Sequence, residues 1–151
     1  MILVDTSVWI EFFRGRDPVF NDLRERLEER NILALECVFA ELLQGARGTR
    51  ERALIREMWD SLPHFHQEEV LLMAGEEAGL RKWKNFGVGL IDAWIITAAR
   101  LSESRIWSLD KKLLSILTAT QIYSYLFSLT FAVEHVCRGL EEDEISVTCG
   151  I

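Results

Sequence analysis

Four carboxylates stand in apolar surroundings along this 151-residue chain: Asp5 directly after Ile2-Leu3-Val4, Glu41 among Phe39, Ala40, Leu42 and Leu43, Asp92 behind Gly87-Val88-Gly89, and Asp110 behind residues 105–109. Taken singly, Asp5 could cap the helix that follows it, and Asp92 or Asp110 could stabilise a helix start through its dipole. Glu41 resists that explanation, because acids inside helices belong on solvated faces. Glu36, five residues earlier, points about 140° away around a helix and reads as a surface residue. Carboxylates meeting at one apolar-walled site repel each other and need a positive neutraliser. A divalent cation does this, and oxygen-only ligation suits Mg²⁺ or Mn²⁺. Such an ion lowers the pKa of a water, aligns it with a phosphodiester and stabilises the leaving oxygen, so the chemistry implied is hydrolysis of a phosphate ester.

For these acids to meet, the chain must bring strand ends together. Residues 2–4 form a short apolar run expected to be the central, doubly covered strand of a parallel sheet. Val8, Trp9, Phe12 and Phe13 then recur at helical spacing over residues 7–13, so a strand feeds a helix through Asp5-Thr6-Ser7. Further helices are predicted over 19–29, 37–46 and 50–59, strands over 32–35 and 105–109, and a helix over 111–117. A weaker strand over 62–66 contains Pro63. Residues 68–83 read as a longer helix with Val70, Leu71, Ala74, Ala78 and Leu80 inward, followed by a glycine-punctuated loop over 85–89 and a buried helix over 90–101. The alternation specifies an α/β fold, a small, mostly parallel central sheet flanked by helices. Open parallel sheets place ligand sites at the carboxyl ends of their strands, which puts Asp5 and Asp110 on one edge. The pattern divides the chain into a domain over 1–123 and an extension over 124–151, with an apolar helix expected over 125–140.

Composition bounds the rest. With 49% apolar residues, a chain of this length buries roughly two-thirds of its unfolded surface and needs no disulfide or structural metal. Cys37, Cys137 and Cys149 stand far apart with no histidine at zinc-finger spacing, which fits a reducing compartment. Asp5 closes the initial apolar run, no positive charge precedes it, and the longest later run is too short for a bilayer; a cytoplasmic protein without leader or membrane contact is expected. The net charge of −7 argues against a uniformly nucleic-acid-binding surface. Its distribution reverses that. Residues 1–133 carry 19 acids and 16 bases, and without the four clustered acids this body is +1.

At these residues the chain resembles a PIN-domain nuclease, and in particular the VapC-type toxin ribonucleases of toxin–antitoxin pairs. Met1-Ile2-Leu3-Val4-Asp5-Thr6-Ser7-Val8-Trp9-Ile10 is similar to the family's first motif, with Asp5 as an acid and Ser7 as the small polar residue beside it. Ala40-Glu41-Leu42-Leu43-Gln44-Gly45-Ala46-Arg47 resembles the second, Gly89-Leu90-Ile91-Asp92-Ala93 with Thr97-Ala98-Ala99-Arg100 the third, and Trp107-Ser108-Leu109-Asp110-Lys111-Lys112-Leu113 the fourth. Trp94 departs from the pattern, standing where a smaller aliphatic residue is usual, and the chain after about residue 124 has no counterpart in it. The resemblance implies a PIN-like α/β/α fold and Mg²⁺- or Mn²⁺-dependent endoribonuclease activity. Asp5, Glu41, Asp92 and Asp110 would be its catalytic and metal-binding acids, with Ser7 and Ser108 as auxiliary hydroxyls. It implies an RNA substrate, a small antitoxin partner and a homodimer.

Arg14, Arg16, Arg81, Lys82 and Lys84 flank the acid-bearing segments and are the candidates for gripping RNA phosphates. Arg47, Arg50, Arg52 and Arg56 share a helical region with Glu51 and Glu57 and are expected to form surface pairs. Trp83, among basic residues, is the candidate for base stacking, whereas Trp9, Trp94 and Trp107 fall in core patterns. His64 and His66 lack a third ligand and read as structural. Two alternatives stand beside the nuclease: a phosphatase using Asp5 as nucleophile, and a catalytically idle PIN fold serving as a binding module.

Overall fold

The computed structural model describes residues 1–124; the extension and the helix expected over 125–140 lie outside the described residues. The chain runs β1 (Ile2–Val4), α1 (Thr6–Phe13), α2 (Val19–Glu28), β2 (Ile32–Leu33), α3 (Glu36–Gly45), α4 (Thr49–Ser61), α5 (Val70–Leu80), a 3₁₀ turn (Trp83–Phe86), α6 (Leu90–Leu101), β3 (Arg105–Trp107) and α7 (Lys111–Ser115). β1 lies between β2 and β3 and pairs with both in parallel, Ile2 opposite Ile32 and Val4 opposite Trp107. All three β1 residues are buried. Such a strand needs apolar side chains on both faces, which explains its unbroken Ile-Leu-Val run.

The strand expected over 62–66 is reduced to a bridge between Ala34 and His64, made by Ala34 N–H donating to Pro63 O (2.8 Å) and Phe65 N–H to Ala34 O (3.0 Å). Pro63 has no N–H to extend the ladder. A bridge that the pattern did not signal forms on the opposite edge, where Ile106 N–H donates to Gln121 O (2.7 Å) and Tyr123 N–H to Ile106 O (2.8 Å). The Tyr123 hydroxyl then donates to Asp22 on α2 (3.1 Å), tying this edge to the helical layer.

The long helix expected over 68–83 stops at Leu80, and the backbone turns left-handed at Lys82 (φ 55°) before the 3₁₀ turn. Its inward stripe is also narrower. Val70 and Ala74 are buried with Ala78 beside them, whereas Leu71 and Leu80 are 41% and 86% exposed. At 100° per residue Leu80 lies about 120° from the centre of the Val70–Ala74–Ala78 stripe, so it cannot share that face. α5 packs chiefly against α6, the most buried helix, whose Ala93, Ile95, Ile96, Ala98 and Ala99 fill the core beside the sheet. Among the described residues no helix is long and apolar enough to cross a membrane.

Candidate active site at the strand ends

Asp5 leaves β1 at its carboxyl end and caps α1. Its Oδ1 accepts from Thr6 N–H (2.7 Å), and its Oδ2 accepts from the hydroxyls of Ser7 (2.6 Å) and Ser108 (2.8 Å). Each hydroxyl in turn accepts from the backbone beyond β3, Ser7 from Leu109 N–H (3.0 Å) and Ser108 from Asp110 N–H (3.0 Å). Two serines thus bolt the β1–α1 turn to the β3–α7 turn through one carboxylate. Asp5 and Ser108 are both 7% exposed, so these bonds act where water competes little.

The other acids arrive on three further elements. Asp110 caps α7 by accepting from Lys112 N–H (2.8 Å), and Asp92, in the first turn of α6, accepts from Gly89 N–H (2.7 Å). The capping roles weighed for these acids are therefore real, and they fix rather than exclude a site, because a carboxylate offers about four acceptor directions. Glu41 lies inside α3 and accepts from the Thr6 hydroxyl (2.6 Å). That bond spans 35 residues and explains how an acid is held within an apolar helix.

Asp92 reports the convergence. Burial is the main cause that pushes its carboxyl above the usual range; the Gly89 N–H bond pulls the other way, and Asp5, Asp110 and Glu41 each push it further up. The negative fields of all three other acids therefore meet at Asp92. They act across a gap: among the described residues no three His, Cys, Asp or Glu side chains are placed to share an ion as they stand. Cys37, one turn before Glu41, has its thiol pushed up to about 12, first by burial and then by Glu41. A thiol that stays protonated is no ligand, so the donors offered here are oxygens. Hard carboxylates that repel one another fit Mg²⁺ or Mn²⁺ and not a thiolate-seeking ion.

The basic candidates separate. Arg14 and Arg16 both pair with Glu11 (3.0 Å each), yet Arg14 borders a cavity of about 330 Å³ that Thr6 and Glu41 also line, while Arg16 does not. Arg81 pairs with Glu77 (3.0 Å) and lies over the Trp83 ring. Lys82 and Lys84 are exposed on the turn before Gly87. Trp83 itself is buried, which removes it as a stacking platform for a base. Its charged neighbours suggested exposure, but the left-handed turn at Lys82 rotates the indole inward. His64 stacks on Trp59 and its ring nitrogen contacts Trp59 O (2.7 Å), a structural arrangement.

Three residues inside the quoted motif segments were given no part in the site by the sequence pattern: Thr6, Arg47 and Lys112. Arg47 was expected to pair within a helix, but α3 has ended and Ala46 is extended (ψ 128°), so Glu51 instead accepts from the Arg47 backbone N–H (2.8 Å). Its guanidinium makes no ion pair among the described residues and borders the cavity beside Glu41 together with an adjoining one of about 780 Å³. Its i,i+4 spacing to Glu51 suggested a pair, and the only sequence signal against one was its place just past Gly45, where the helix ends.

Residues 2–116, which include all four acids, match the family model of the PIN domain. The chain belongs to the PIN-domain family. A relative, Ribonuclease VapC32 of Mycobacterium tuberculosis (strain CDC 1551 / Oshkosh), is 33% identical over 117 residues, 75% of this chain and 87% of that protein. Among solved structures, VapBC2 from Rickettsia felis bound to a promoter DNA fragment is similar with a TM-score of 0.63 at 17% identity, covering 82% of this chain and 98% of that one. A toxin–antitoxin complex from Klebsiella pneumoniae gives 0.62 at 16% identity, covering 82% and 97%. At such identity these structures speak for the PIN fold, the parallel sheet with flanking helices described above.

Proposed function

We propose that this PIN-domain protein is a Mg²⁺- or Mn²⁺-dependent endoribonuclease, the toxin of a toxin–antitoxin pair acting in the cytoplasm. The observation that carries the reading is the hydrogen-bonded junction at the strand ends, where Ser7 and Ser108 tie Asp5 to the turn bearing Asp110 and Thr6 ties Glu41 to the same segment, with Asp92 close enough to be repelled by all three. The relative named Ribonuclease VapC32 supports the substrate class.

Asp5, Glu41, Asp92 and Asp110 would hold the ion. When bound, it supplies neutralisation of the clustered charge and polarises the phosphodiester. The remaining work belongs to the chain. Ser7 and Ser108 fix Asp5 Oδ2, leaving the second lone pair of Oδ1 as that carboxylate's available direction. Thr6 aims Glu41 from the same turn, so one three-residue segment positions two acids. Asp92, raised first by burial and then by its three acidic neighbours, gains most from a cation that neutralises the cluster. With Ser7, Ser108 and the Thr6 N–H all donating to Asp5, its carboxylate is held in place and weakened as a nucleophile, which disfavours its use in a phosphatase.

The partners in this reading are a small antitoxin and a second copy of the chain, with Leu72 (66% exposed) and Leu80 (86% exposed) on α5 as apolar surface for that second copy. Cleavage of structured RNA with Mn²⁺ or Mg²⁺, compared between the native chain, Asp5→Asn and Asp92→Asn, tests the activity. Loss in both variants supports it, and equal cleavage in all three refutes it.

A further inference from the structure

Because β1 lies between β2 and β3, Asp5 stands in the middle of the acid group, with Glu41 on the β2 side and Asp110 on the β3 side. Each flank ends in a basic side chain that makes no ion pair among the described residues. On the Glu41 side this is Arg47, which borders both cavities, whereas the neighbouring Arg14 is held by Glu11. On the Asp110 side it is Lys112, which lies flat across Gly87. A Cβ at Gly87 would stand 3.1 Å from Lys112 Cδ and 3.7 Å from Nζ, and Gly87 has a φ of +77°. The lysine is thereby held against the loop that leads to Asp92, and its own backbone N–H makes the capping bond that places Asp110, two residues earlier.

The geometry points to Arg47 and Lys112 as the phosphate contacts that one RNA strand makes on either side of the four acids, the strand entering along the groove between α1 and α4 and leaving across Gly87. The inference rests on the ribonuclease reading above and adds the path. A polyanion approaching four carboxylates must find cations on both sides, and free guanidinium and ammonium groups are the side chains that bind phosphate. The two cavities share Phe13, Arg47 and Glu51, so the groove is continuous from Glu41 outward, and exposed Leu54 gives its outer part an apolar wall suited to unstacked bases. Contacts of this kind set the position of the strand without reading its sequence.

The test uses the full chain carrying Asp92→Asn, so that bound RNA is not cut, and measures the anisotropy of a labelled single-stranded oligonucleotide between 50 and 200 mM salt. Arg47→Gln and Lys112→Gln are each expected to lower the log–log salt slope by about 0.7, which narrows the affinity change over that range by about 2.5-fold, and the double substitution lowers it by about twice as much. Arg24→Gln on α2 makes the same charge change away from the site and should leave the slope unaltered; Lys112→Arg should restore it. Unchanged melting temperatures exclude a folding effect. In chains with native acids, the same two substitutions should raise KM with kcat retained. A slope unaffected by either substitution, or by one of them, overturns the two-sided path even if the native chain cleaves RNA. Failure of the native chain to cleave removes the ribonuclease reading, while the salt slopes still decide the path.

Discussion

Replacing Ser108 with alanine removes one oxygen that does two jobs. Ser108 Oγ donates to the buried Asp5 Oδ2 at 2.8 Å and accepts from Asp110 N–H at 3.0 Å. A hydrogen bond to a charged group contributes about 1.5–3 kcal/mol and an ordinary one about 1 kcal/mol. Ser7 still donates to Asp5, which offsets part of the loss, so a net destabilisation of roughly 2 kcal/mol is expected. For a domain of this size that lowers Tm by about 4–8 °C. The catalytic effect should be larger than the stability effect suggests, because both Asp5 and the Asp110 backbone lose their tether; supporting groups of this kind are worth about 10–100-fold in activity. Urea melts of Ser7→Ala, Ser108→Ala and the double variant, with cleavage rates measured alongside, form a double-mutant cycle. The two serines share one acceptor oxygen, so their effects should couple by about 0.5–3 kcal/mol. Additive losses, or an Ser108→Ala chain that melts and cleaves like the native one, would refute the view that these hydroxyls act as a unit.

Other consequences are as specific. Because its folded-state carboxyl is raised, ionised Asp92 costs stability as pH rises through its folded value, and that cost disappears once the group is protonated at lower pH. Asp92→Asn should therefore melt higher than the native chain at neutral pH without divalent ions, with the difference vanishing on acidification; a melting gap independent of pH contradicts this. Added Mn²⁺ at about 100 times its Kd should stabilise the native chain by about 2.7 kcal/mol in thermal melts and the Asp92→Asn chain much less. Gly87→Ala should destabilise by about 1–2 kcal/mol in urea melts, since the residue has φ +77° and its Cβ would press on Lys112. Leu80→Glu should shift the chain toward monomer by light scattering and, because Leu80 is 86% exposed in a single copy, leave the Tm unchanged at dilutions where the native chain is also monomeric.

How much of this was legible in the sequence depends on how local each feature is. Asp5 and Asp110 could be placed because short apolar runs end at them, and strand ends of a parallel sheet share an edge. Glu41 could be singled out because its neighbours are apolar, but its partner Thr6 lies 35 residues away and no local pattern joins them. The sheet edges at His64 and Ile122 rest on single bridges, too short to carry an alternating pattern. Trp83 was misread for a different reason: composition described its neighbours correctly, while the positive φ at Lys82, which turns it inward, falls on a residue that rarely adopts it. Arg47 looked like ordinary surface charge and Lys112 had no reading beyond its place in the fourth motif, because what distinguishes them is their position against the cavities beside Glu41 and against Gly87, a property of the fold and not of spacing.

The claim at the centre is that four acids from α3, α6 and the turns after β1 and β3 serve one divalent cation. Mn²⁺ titration followed by loss of the free-ion paramagnetic resonance signal tests it directly, on the native chain and on Asp5→Asn, Glu41→Gln, Asp92→Asn and Asp110→Asn. Each substitution is expected to weaken Mn²⁺ binding at least about tenfold while the chain stays folded. Native-like Mn²⁺ binding by any of the four variants would contradict the claim and remove that acid from the site.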